Sequence, residues 1–160
     1  MTAPLPPPPR VLLIGYGNPH RQDDRAGHVV AETVRVWAAR ENRSHIHVLT
    51  AYQLDLDMVN HIRAADVVYF SDAHVLSFSD EILITPVKAA KDHGFTTHLI
   101  TPSGLFALCS ELYQHTPRGT IVSVPGEWFD MGDEMSPRAA QKAAAAAAHI
   151  IQAIASLHSQ

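Results

Sequence analysis

The stretch VLLIGYGNPHRQDDRAGHVVAE, residues 11–32, contains a strand, a turn and the start of a helix, and its turn poses the functional question. VLLIG is a short continuous apolar run ended by glycine, the pattern of a strand buried on both faces of a sheet. From Ala26 the period changes. Val30, Val34, Trp37 and Ala38 fall on one helical face, with His28, Glu32 and Arg35 on the other. The turn between them, GYGN followed by Asp23 and Asp24, suits either a phosphate or a metal. Against a phosphate, the third position of a dinucleotide glycine motif holds His20, no Gly-Lys-Ser/Thr follows, and two acids sit where a phosphate wants amide donors. One aspartate before a helix is expected as a cap, but a cap does not require two. Asn18 fits the turn that Gly17 starts.

The same alternation continues outward. HIHVLTA (45–51) reads as a strand, DLDMVNHIRAA (55–65) as a short helix, and DVVYFSDA (66–73) as a buried strand ending at a carboxylate. EILITPV (81–87) alternates better and is expected at an edge or antiparallel. TPSGLFALCSELY (101–113) is a helix with Thr101 as N-cap and Pro102 at its first position, and GTIVSV (119–124) is a further strand. Ser136 caps the last helix and Pro137 starts it, with Ala140, Ala144, Ala147, Ile151 and Ile154 as the stripe facing the sheet. These elements predict one α/β domain over residues 11–160, a three-layer α/β/α sandwich around a mostly parallel sheet of about five strands. Residues 1–10, MTAPLPPPPR, are expected as a disordered proline-rich tail.

Composition narrows the function. With 160 residues and 46% hydrophobic content there is room for one core. The net charge of −4, without clustered Lys or Arg, argues against a nucleic-acid partner. No apolar run approaches a bilayer span, and the first residues lack the order of a secretory signal, so a cytoplasmic protein without membrane contact is expected. A monomer is expected at this size. The single cysteine, Cys109, rules out an internal disulfide and a cysteine-cluster metal site, and it reads as a buried inert thiol. Eleven histidines keep metal chemistry open.

Ligands of open α/β sheets sit beyond the carboxyl ends of strands. Asp72 emerges at such an end directly after a buried run, which is costly unless the acid is paired, hydrogen-bonded or on a metal. Asp24 and Asp72 can face each other across neighbouring strand ends, and two facing carboxylates repel unless a proton or cation lies between them. His98, just ahead of the helix at Pro102, is a nitrogen donor that would complete an oxygen, oxygen, nitrogen set suited to nickel, zinc or iron.

Four motifs, taken in order, resemble the nickel-iron hydrogenase maturation proteases. VLLIGYGNPHRQDDRAG is similar to the family's first motif at Gly15, Gly17, Asn18, Asp23, Asp24 and Gly27; FSDA to its second at Asp72; THLITPSGLFAL to its third at His98; and FDMGDEMSP to the segment leading into its final helix. The resemblance implies an endopeptidase that removes a C-terminal extension from the nickel-loaded precursor of a nickel-iron hydrogenase large subunit. It implies Asp24, Asp72 and His98 as the metal and catalytic set, with Gly17, Asn18 and Asp23 at the substrate. The nickel is expected to be that of the precursor. If it polarises the scissile carbonyl it acts as a Lewis acid; otherwise Asp24 or Asp23 serves as general base. The alternative is a nickel-sensing assembly factor that binds the same precursor without cutting it. The chain departs from the family pattern at Arg25 and Ala26, where glycine is frequent, and at TAYQLDLDMV, where many members carry Gly-Thr-x-Gly.

Overall fold

A computed structural model describes residues 2–90 and 100–157, and Val11–Tyr16 forms its first strand, β1. β1 lies between β2 (Ile46–Ala51) and β3 (Val67–Val75), parallel to both. β3 pairs in parallel with β5 (Arg118–Gly126), and β4 (Leu83–Pro86) closes the far edge antiparallel to β5, as its alternation predicts. Among the described residues the sheet has five strands in the order β2-β1-β3-β5-β4. The pleat sends Val11 and Leu13 to one face and Leu12 and Ile14 to the other, and all four are buried. On the first face pack α1 (Ala26–Arg40) and α4 (Pro137–Ser156); on the second, α2 (Val59–Ile62) and α3 (Pro102–Tyr113). This is the expected three-layer sandwich. No helix among the described residues is long and apolar enough to cross a membrane.

Caps set the helix starts. The Thr101 hydroxyl accepts from Gly104 N at 3.0 Å and the Ser136 hydroxyl from Ala139 N at 3.2 Å, each with proline next in line. Gly27 brings α1 onto the sheet. A Cβ there would collide with the Ser71 carbonyl oxygen and the Tyr16 backbone, and one at Gly15 would collide with the Gly27 carbonyl. The close helix-to-strand approach therefore exists, supplied four residues after Asp23 rather than at His20.

Three expectations shift. The α4 stripe is Ala139, Ala143, Ala146, Ala147, Ile150 and Ile154 with Ile151 packed partly buried beside it, so Ala140 and Ala144 lie off the buried line. A run of identical alanines carries no contrast to set the phase, and Ile150 and Ile154 set it instead. β3 continues past Asp72 to Val75 because β5 pairs with it over its whole length. The anchored chain begins one residue earlier than expected, at Arg10, whose guanidinium grips both oxygens of Asp66 at 3.1 and 2.9 Å.

The topology marks one place for a ligand. From β1 the chain passes over one face to β2, then over the other face to β3, so the crevice between the carboxyl ends of β1 and β3 is the switch point of the sheet.

Candidate functional site

Gly17 leaves β1 at φ 138, a region favouring glycine, and a Cβ there would strike the backbone of Asp24. The following turn closes on its own acid: Asn18 N–H donates to Asp24 Oδ2 at 2.7 Å. The amide that a phosphate would need is thus already taken by a carboxylate, which removes the phosphate reading. Asn18 Oδ1 accepts from His20 N at 2.9 Å, and Asn18 Nδ2 donates to the Tyr52 hydroxyl. His28, expected on the solvent face of α1, folds back so that Nε2–H donates to the Gly17 carbonyl at 2.7 Å. Asp24 itself lies in a single 3-10 turn, Gln22–Arg25, that runs into α1.

The neighbouring acid points the other way. Asp23 is 0% exposed and its carboxylate accepts from Glu127 N, Trp128 N, Ser136 N and Ser136 Oγ at 2.7–2.9 Å. These donors hold its pKa below the usual carboxylate value against the opposing effect of burial, the largest single influence. Asp23, expected at the substrate, is instead a buried clamp, with no oxygen left to offer. It fastens the turn to residues 127–136, helped by Gln22 N donating to Gly132 O at 2.9 Å, Gly132 N donating to His20 O at 2.8 Å and Arg21 Nε donating to Phe129 O at 2.6 Å. Arg25 follows the same loop, donating to the Asp133 carbonyl.

Across the crevice stands Asp72. Its alternation with Val68 and Phe70 along β3 sends the side chain to the α2/α3 face, and Tyr16, two residues after Ile14 on β1, points the same way. Tyr16 Oη–H donates to Asp72 Oδ2 at 2.9 Å, whereas Asp72 Oδ1 is buried with no hydrogen-bond partner among the described residues. Burial raises the Asp72 pKa; the nearby Ser123 hydroxyl, which lies against His74 Nδ1, the Tyr16 hydrogen bond and the charge of His74 oppose this, and the charge of Asp24 adds to it. Burial, then the Asp72 charge, drives the Tyr16 phenol well above its ordinary value, so it stays a donor. His74 Nε2–H donates to the Ser79 carbonyl at 3.0 Å, and its Nδ1 lies 2.9 Å from Ser123 Oγ on β5.

The structure therefore brings Asp24 and Asp72 to the switch point and removes Asp23 from it. His98 lies outside the described residues, and the described residues alone offer no group of three His, Cys, Asp or Glu side chains that could hold a metal. The pair does fit a cation: a raised carboxylate with an orphaned oxygen, beside a second carboxylate, lacks positive charge. Sequence reading missed Tyr16, Tyr52 and His28, whose roles depend on which strand pairs with β1 and how the turn closes. A surface pocket of about 470 Å³ lies elsewhere, between the end of α1 and β2, lined in part by Arg35, Arg43 and Ile46. Cys109 is buried, and burial raises its thiol pKa, in keeping with an inert role.

No family model and no curated protein matches the sequence. Solved structures do. A [NiFe] hydrogenase maturation protease, HycI, from Thermococcus kodakarensis KOD1 superposes with a TM-score of 0.71 at 20% identity, covering 92% of this chain and 93% of its own. The hydrogenase maturating endopeptidase HybD from E. coli gives 0.69 at 17% identity over 91% of each chain. A hydrogenase 2 maturation peptidase from Thaumarchaeota archaeon SCGC_AB-539-E09 gives 0.67 at 16%, over 91% of this chain and 98% of its own. The chain shares the fold of these proteins over about nine-tenths of its length.

Proposed function

We propose that this chain is a hydrogenase maturation endopeptidase, which removes a C-terminal extension from the nickel-loaded precursor of a nickel-iron hydrogenase large subunit. The observation that carries this is the Asp24 and Asp72 pair at the switch point, with Asp72 Oδ1 buried and unpartnered among the described residues, on the fold shared with those proteases. Asp24, Asp72 and His98 are the residues to receive the nickel, which arrives as part of the substrate. Bound there, nickel supplies Lewis acidity.

The chain's own residues supply the frame. Asn18, held by Asp24 and tied to Tyr52, fixes the turn beside the crevice. Burial raises the Asp72 pKa, and a cation beside its carboxylate relieves that penalty. A protein-sized substrate is supported by the exposed apolar side chains around this end of the sheet, Tyr52 after β2, Phe78 after β3, and Trp128 and Met131 after β5. The acidic residues Glu127, Asp130, Asp133 and Glu134 share that loop. Cytoplasmic location accords with such a precursor.

The test is incubation with nickel-loaded and nickel-free cognate precursor, followed by intact mass. Loss of a C-terminal peptide from the loaded form alone is the expected result, and Asp24→Ala, Asp72→Ala or His98→Ala abolishes it without unfolding the protein. Binding of the loaded form without any mass loss would instead establish the assembly factor.

A further inference from the structure

The two oxygens of Asp72 are not equivalent. Oδ2 receives the Tyr16 hydroxyl at 2.9 Å; Oδ1 is buried and has no hydrogen-bond partner among the described residues. The difference is built into the sheet: Tyr16 follows Leu12 and Ile14 on one face of β1, Asp72 follows Val68 and Phe70 on the same face of β3, and the strands run in parallel register from Val11 opposite Val67 to Gly15 opposite Ser71. The phenol is tethered by a half-buried ring packed against that face, so it cannot swing between the oxygens as a water would.

We propose that Tyr16 is a positioning residue that occupies Oδ2 and makes Asp72 a one-oxygen donor through Oδ1. This rests on the reading of Asp72 as a donor to the nickel of the precursor. A carboxylate restricted to one oxygen suits compact, borderline ions with few ligands. It disfavours large hard ions such as calcium, which take 6–8 oxygens and use carboxylates through both. Tyr16 thereby sets which ion the crevice accepts.

The test uses the full chain without precursor, as wild type, Y16F, D72N and the double variant, titrated calorimetrically with nickel and with calcium. The phenyl ring of Y16F preserves the packing, and thermal melting verifies this. In Y16F the nickel-to-calcium affinity ratio is expected to move by about threefold or more toward calcium, as for contacting residues, and in the D72N background the same substitution is expected to change nothing. The visible spectrum of added cobalt(II) should shift in Y16F and coincide between D72N and the double variant. An unchanged ratio and spectrum in Y16F, an equal effect in the D72N background, or no saturable nickel binding by wild type overturns the proposal. Cleavage of precursor with an unchanged ratio sinks the role of Tyr16 and leaves the protease; Tyr16–Asp72 coupling without cleavage does the reverse.

Discussion

At Asp23 four donors converge on a carboxylate shut away from water, while at Asp24 one backbone amide meets a carboxylate whose charge acts on Asp72. Removing the charge has opposite consequences at the buried sites. Asp23→Asn puts an amide nitrogen among donors and should cost about 3–5 kcal/mol in denaturant unfolding. The sign with pH follows from the lowered pKa. Asp23's contribution is present above the ordinary carboxylate range and is lost as pH falls through its depressed value, so Asp23→Asn should flatten the acid limb of the stability profile. Asp72 is the reverse case. Its raised pKa means that stability is fully present below the ordinary value and is lost as pH rises through the folded one. Asp72→Asn should therefore raise the unfolding midpoint of the metal-free protein at neutral pH and leave it unchanged in acid. From sequence the two neighbouring acids were both candidates for the site, because identical side chains one residue apart differ only in where the 3-10 turn aims them. Asp72 was legible by contrast, since a charge at the end of VVYFS has few bland explanations.

Among the elements, α1 matters most, because the turn before it carries Asp24 and Gly27, facing Gly15, lets it press against β1 and β3. Gly27→Ala forces the helix away from the Ser71 carbonyl and should cost about 3 kcal/mol, measurable as a lower unfolding midpoint, with metal affinity falling alongside. For α4 the phase can be tested directly. Ala146→Glu buries a charge and should unfold the protein or cost several kcal/mol, whereas Ala144→Glu on the outer line should change stability by no more than about 0.5 kcal/mol. Strands, caps and the order of helices were readable because apolar runs, Thr101-Pro102 and Ser136-Pro137 each carry a local signal. The α4 phase and the end of β3 were not, because both depend on a partner distant in sequence.

For the whole molecule, function concentrates on one end. The carboxyl ends of β1, β2, β3 and β5 gather the acid pair, the clamped loop and the exposed Tyr52, Phe78, Trp128 and Met131. If this end grips the precursor, Trp128→Ala and Met131→Ala should each lower cleavage efficiency by up to about tenfold with little change in melting temperature, because these side chains are already in solvent. The fold class followed from the alternation of strand and helix patterns, but the composition of this rim did not, since loops of remote sequence number supply it. The Asp23 clamp joins residues 113 positions apart. During synthesis the turn that carries Asp24 emerges early, yet the serine that completes its anchorage is made only after four-fifths of the chain. Non-local closures of this kind are slow. The nascent protein is consequently without a finished crevice until its final helix docks, and a chain halted before Ser136 would carry every acidic ligand and no working jaws.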